Sequence, residues 1–298
     1  MALSDNMRGA LLMVGAMTAF TCNDACMKAL GTELPLFQAL LLRGIATTAA
    51  LVVLALVMGQ LRFDIARRDW GLIALRTVAE AAAAWFFITA LFQMPIANVS
   101  AILQSLPLAV TLAAALAFGE QVGWKRMTAI AVGFIGVLLI VRPGTDGFTH
   151  YSVFALLSVA CVTVRDLAAR RMTRSVPSIL VALVAAAGVT LFAAVGSAFI
   201  DWAPVTPRAG WQLAGASAFV IGGYITSVGA MRVGEIGFVA PFRYASLLVA
   251  LVLGLVLFGD WPDGLTLAGA ALVVATGLFT LYRERRAARR VPVGLRIR

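Results

Sequence analysis

The chain reads as an all-α integral membrane protein of ten transmembrane helices, arranged as two inverted five-helix repeats. Three observations predict this. Of 298 residues, 61% are hydrophobic and 13% charged, with a mean hydropathy of +0.95, whereas a soluble domain is nearer half apolar and a quarter charged. The apolar residues fall in runs of about 20, the length that crosses a hydrocarbon core of roughly 30 Å. The chain also carries a sparse internal repeat. Too little polar surface remains to wrap a water-facing globule, which argues against a soluble enzyme, a nucleic-acid binder or a disordered scaffold.

The spans follow from the apolar runs and their breakers. The first, 8–30, runs from Met7 straight through Asn23, Asp24 and Lys28 with no small-residue cleavage site, so it is expected to be a retained span. The second, 36–58, follows the Gly31 to Pro35 turn; the third, 70–92, follows Gly59 to Asp69; the fourth, 96–118, follows Gln93 to Pro95. Gly119 to Trp124 leads to the fifth, 126–142, and Arg142 to Gly147 to the sixth, 151–170. The seventh, 178–200, follows Arg171 to Pro177, and the eighth, 210–231, follows Asp201 to Pro207. The ninth, 236–258, ends before Asp260 to Gly264, and the tenth covers 264–282. No connection is long enough to hold a further domain.

Charge sets the orientation. Numbering from the N-terminus, one side collects 17 of the 24 basic residues: Arg8, Arg62, Arg67, Arg68, Lys125, Arg126, Arg170, Arg171, Arg174, Arg232 and seven arginines from Arg283 to Arg298. The other side holds Lys28, Arg142 and Arg208, and four arginines fall within spans. By the positive-inside rule both termini are cytoplasmic, which requires an even number of spans. The arginine-rich tail, 284–298, is expected on anionic cytoplasmic lipid.

A slide of 140 residues sets Phe118-Gly119-Glu120 over Phe258-Gly259-Asp260 and Pro95 to Val99 over Glu235 to Val239; a slide of 142 sets Asn23-Asp24 and Lys28 over Arg165-Asp166 and Arg170. Five spans per half is an odd number, so the second half is expected upside down relative to the first. Inverted repeats are an architecture of secondary transporters, with substrate bound near midplane between the halves. The division expected is 1–145, 146–283 and the tail 284–298.

The motifs resemble those of the EamA-type repeats of the drug/metabolite transporter superfamily. The match is carried by Pro95-x-Ala97, Leu103, Leu106-Pro107 and Gly119-Glu120, then the glycine-rich fifth span around Gly133 and Gly136-Val137. The second half departs from it, with Leu247 where Pro107 would repeat and Asp260 replacing the glutamate. The resemblance covers the chain to about Arg283. Within the superfamily the chain most resembles bacterial YddG-type exporters of aromatic and other neutral amino acids. It implies a multi-pass protein of the bacterial inner membrane.

An ionisable residue inside a span costs roughly 2.5–3.5 kcal/mol on insertion scales and is expected to face a partner or a wet cavity. These residues are Asp24, Lys28, Arg43, Arg76, Glu80, Arg165, Asp166 and Arg243. Asp24–Lys28 reads as an i, i+4 pair. Gln104 and Tyr244 occupy matching positions under the 140 slide, which suggests a polar face shared between the halves. Arg243 adjoins Tyr244 but points about 100° away. An amino acid needs a cation for its carboxylate, acceptors for its ammonium and apolar or aromatic walls. The cavity candidates are therefore Gln104, Tyr244, Tyr224, Trp85, Arg243, Arg76, Glu80 and Lys28; Asp24, Glu80 and Asp166 are candidates to couple a proton. Core packing or an interfacial aromatic is the competing reading for each.

Pro95, Pro107, Gly234, Gly237 and Pro241 are expected flexing points. Trp70, Trp124, Trp202, Trp211 and Trp261 read as interfacial anchors, and Cys22 and Cys26 as helix packing. His150 is the sole histidine, so no histidine metal cluster or Ser/His/Asp triad can form. No GxxxxGK[ST] loop exists, so this chain alone is no ATP-driven pump. The expectation is a non-enzymatic secondary transporter without cofactor or metal, monomeric or a weak homodimer. It would export amino acids or related small metabolites by alternating access. The alternatives are an exporter of lipophilic cationic drugs or another metabolite class on the same fold, an integral-membrane enzyme, and a channel.

Overall fold

The computed structural model describes residues 4–57, 59, 64–119, 122–144, 149–173 and 175–290. Its helices are α1 (Asp5–Leu30), α2 (Leu36–Val57), α3 (Arg67–Gln93), α4 (Ile96–Leu103), α5 (Leu106–Phe118), α6 (Trp124–Val141), α7 (His150–Arg171), α8 (Ser178–Ser197), α9 (Pro207–Val233), α10 (Ile236–Val239), α11 (Ala245–Phe258) and α12 (Gly264–Arg290). A 3-10 turn, Ala240–Tyr244, links α10 to α11. Among the described residues, ten helices or broken helices are long and apolar enough to cross a membrane. Their bounds lie within three residues of the expected spans, except that α12 runs on eight residues into the basic tail. Glu120, Arg62, Arg174 and residues 291–298, used in the motif and charge arguments, lie outside the described residues.

The fourth and ninth spans are broken at matching places, each beside a proline. Pro107 has no N–H to offer the carbonyl of Leu103, and the helix gives way at Gln104 and Ser105. In the second half the proline is Pro241, so it is the Ala240–Tyr244 stretch that tightens to 3-10. Both spans then run on to a left-handed glycine, Gly119 at φ +65° and Gly259 at φ +69°, the conformation that satisfies a helix C-terminus most cheaply in glycine. From Ile96 against Ile236 to Gly119 against Gly259, the 140-residue register holds.

Helix packing joins the two sequence halves. The most extensive contacts are α1 with α9, α3 with α7, α6 with α12 and α2 with α8. Exchanging each helix for its partner five spans away returns the same set of pairs. At the α2–α8 crossing the hydroxyls of Thr48 and Thr190 meet at 3.0 Å, and these residues are 142 apart. Gly136 and Gly269 let α6 and α12 meet backbone to backbone: a Cβ on either would lie 2.8 or 2.5 Å from the other's carbonyl oxygen. Outward faces stay apolar, with Val57, Leu116, Phe199 and Leu248 exposed, as a lipid-facing surface requires. Trp124, Trp202, Trp211 and Trp261 are exposed at span ends.

Candidate functional site: a charged cavity between the halves

A cavity lies where α2 and α3 face α8 and α9. Arg43, Thr47, Arg76 and Glu80 form one wall, and small or apolar residues such as Ala182, Ala186, Val189 and Val220 form the other. Tyr224 completes it; its ring meets Phe20 edge-on at 5.6 Å and it remains 40% exposed, open to the cavity.

Burying charge here requires compensation, and two groups supply it. Glu80 Oε1 accepts from Arg165 Nη1 of α7 at 3.0 Å, and its Oε2 lies 3.6 Å from Arg76 Nη1. Arg165 Nε also donates to the neighbouring Asp166 at 2.9 Å. In the second group Arg43 Nη1 donates to Asn23 Oδ1 at 3.1 Å, and Asn23 Nδ2 donates to Asp24 at 2.9 Å. Three guanidiniums thus face three carboxylates. Arg76 is the least satisfied: its Nε and Nη1 are buried with no hydrogen-bond partner among the described residues. Its charge therefore borders the cavity with hydrogen-bonding capacity unfilled, beside an apolar wall.

The cavity gathers Arg76, Glu80 and Tyr224 from the expected set. Trp85 lies a turn beyond Glu80, packed against Phe86 and Phe154 at 4.9 and 6.0 Å. Gln104 and Tyr244 are engaged elsewhere. Gln104 Nε2 donates to Ser246 Oγ at 2.7 Å, and the Tyr244 hydroxyl is buried against Gly277, where a Cβ would sit 1.7 Å from it. Arg243 is exposed at the end of the 3-10 turn.

Asp24 and Lys28 do not form the expected i, i+4 pair. Lys28 instead donates to the carbonyls of Met94 at 2.6 Å and Leu91 at 3.3 Å. The cause is local: Pro95 has no N–H for the Leu91 carbonyl, so α3 ends with orphan acceptors that an ammonium can fill. Sequence reasoning noted Arg43 as an in-span charge but left it out of the site, and it missed Asn23 as the bridge to Asp24. It also missed Ser246 opposite Gln104. That signal was available, because Gln104 and Ser246 are 142 residues apart, the slide that aligned Asp24 with Asp166.

Residues 7–142 match the EamA-like transporter family. The S-adenosylmethionine uptake transporter of Rickettsia felis is 24% identical over 277 residues, 91% of this chain and 92% of that protein. The pseudopaline exporter of Pseudomonas aeruginosa is 26% identical over 272 residues (89% and 93%), and the riboflavin transporter of Rhizobium johnstonii 28% over 226 (72% and 71%). A solved crystal structure shares the fold at a TM-score of 0.64 and 21% identity, over 94% of this chain and 98% of that one. With ten described helices or broken helices long and apolar enough to cross a membrane, a first half that matches the EamA-like transporter family and relatives named as transporters over most of its length, the chain is similar to carriers of small metabolites.

Proposed function

We propose that the chain exports zwitterionic amino acids, aromatic and other neutral ones, in the manner of YddG-type exporters. The halves are taken as inverted repeats that rock about the cavity in alternating access, with both termini on the cytoplasmic side of a bacterial inner membrane. The observation that carries the reading is Arg76, a guanidinium on the cavity wall that suits a carboxylate: its Nε and Nη1 make no hydrogen bond among the described residues, the Nη1 standing 3.6 Å from Glu80. Glu80 supplies an acceptor for an ammonium, while Tyr224 and the alanine-rich wall suit a side chain. S-adenosylmethionine, which gives one relative its name, is itself an amino-acid derivative. Asp24, Glu80 and Asp166 are the proposed proton-coupling groups. Gln104, Tyr244, Trp85, Arg243 and Lys28 do not line this cavity and are assigned no contact with substrate.

Counterflow in proteoliposomes tests the reading. With unlabelled amino acid preloaded, a labelled aromatic or neutral one is expected to enter saturably, and Arg76→Gln to lower that entry at least tenfold. Entry no faster than into protein-free liposomes, with folded protein, would rule out the substrate class. Relatives named for riboflavin and pseudopaline favour a second reading, another small metabolite on the same fold, to be tested next.

A further inference from the structure

A second cavity, of about 450 Å³, lies between α1, α9 and α11, apart from the charged one. Its lining is ordered by depth. Arg208 and Thr32 stand at its mouth, at the end of the molecule opposite the arginine-rich side. Gln212 lies one turn in, roughly 6 Å along α9 at 1.5 Å per residue. Leu257 and Phe258 close α11 at the level of the mouth and Leu253 lies about one turn further in, while Phe219 lines the interior and Cys22 and Cys26 line the α1 wall. From Thr32 to Cys22, and from Arg208 to Phe219, the groove runs about 15 Å, half the thickness of a hydrocarbon core.

Thr32 donates its hydroxyl to the Ala29 carbonyl at 2.9 Å, while Arg208 and Gln212 are incompletely used. Of the three basic residues at this end, Lys28 is held by backbone carbonyls and Arg142 by Asp263. Arg208 has only a 3.5 Å approach of its Nε to Glu33 Oε1, and its side chain is 79% exposed. Glu33 meanwhile accepts from Thr206 through its other oxygen. The carboxamide oxygen of Gln212 is buried without a hydrogen-bond partner among the described residues.

We propose that this groove is a binding site for one anionic phospholipid of the adjoining leaflet. A cationic mouth leading to an apolar interior matches the polarity of such a lipid. Arg208 meets the phosphate, Thr32 and Gln212 lie at the depth of the glycerol and ester groups, and an acyl chain runs along Leu253 to Phe219 and the α1 wall. The guanidinium supplies the charge complementarity, and the length of the groove matches one monolayer.

Cys22 and Cys26 make the site readable. In a Cys161→Ala variant of the full chain the three cysteines reduce to these two. Their modification by N-ethylmaleimide in detergent is followed by intact mass spectrometry while dioleoylphosphatidylglycerol is added. The lipid is expected to slow the reaction at least tenfold. Arg208→Gln is expected to reduce that protection to under twofold, and Glu33→Gln, which frees the guanidinium, to preserve it. Native mass spectrometry provides a readout independent of the thiols: a retained phosphatidylglycerol molecule on the parent protein, lost in Arg208→Gln. The proposal is overturned if dioleoylglycerol, which lacks the phosphate, protects equally. It is also overturned if protection survives Arg208→Gln, or if no lipid is retained and none slows the reaction.

Discussion

Arg165 Nη1 on α7 lies 3.0 Å from Glu80 Oε1 on α3, so the carboxylate that borders the cavity in one sequence half is held by a guanidinium from the other. Both side chains retain about a fifth of their exposure, which places the pair between a surface bridge and a fully buried one. Removing one partner of a buried pair costs about 3–5 kcal/mol, and the residual exposure lowers the expectation to about 1–3 kcal/mol. Glu80→Gln and Arg165→Gln are each expected to lower the melting temperature in detergent. The double variant is expected to lose less than the sum, as measured by a thermal double-mutant cycle.

Arg76 is expected to behave differently. Its Nη1 stands 3.6 Å from Glu80 and its buried N–H groups make no hydrogen bond among the described residues, so folding gains little from it. Arg76→Gln should change stability by less than about 1 kcal/mol while transport falls at least tenfold. Parallel melting and counterflow measurements separate the two; a large loss of stability with transport per folded molecule unchanged would assign Arg76 to structure.

Lys28 is expected to be structural. It fills carbonyls that Pro95 and the end of α3 leave open. Lys28→Met strips both and should destabilise by about 1–3 kcal/mol, the desolvation cost of buried groups left unpaired. Melting curves check it, and Lys28→Arg is expected to recover part of the loss.

Asp263, in the connection before α12, gives an acid-side signature. The backbone N–H of Thr266 and then the Arg142 guanidinium hold its carboxyl down at about 2, from 3.8. A folded-state value below the unfolded one contributes stability that is complete above about pH 4 and lost as pH falls towards 2. Asp263→Asn should flatten that segment of a melting-temperature profile taken between pH 2 and 5.5, lying below the parent above about pH 4 and converging with it towards pH 2.

Gly136 and Gly269 set the approach of α6 to α12. Gly269→Ala puts a methyl 2.5 Å from the Gly136 carbonyl oxygen, and backbone on both sides cannot yield without separating the helices. A loss of about 1–3 kcal/mol is expected, in the range of overpacked cores, read as lowered melting temperature and folded yield.

Hydropathy, breaker residues and the bias of lysine and arginine were enough to find ten spans to within a few residues, because a bilayer imposes length and composition on each helix locally. The short motifs in the fourth and fifth spans carried the resemblance to the EamA-like transporters that residues 7–142 match. Arg76, Glu80 and Tyr224 were legible as candidates because a charge or phenol within a span is costly and therefore rarely idle. What no single helix contains is the direction a side chain takes across a helix–helix contact. Asp24 and Lys28 share one face of α1, yet Asn23 links Asp24 to Arg43 while Lys28 turns to the frayed end of α3. Gln104 and Tyr244 share a register, yet Ser246 receives the amide and the Gly277 notch receives the phenol. The spans, their charge bias and the list of costly polar residues are properties of single chain segments in lipid, so they could be read along the chain. Which of those residues meet around one cavity depends on the packing of helices far apart in sequence, so it emerges with the folded structure.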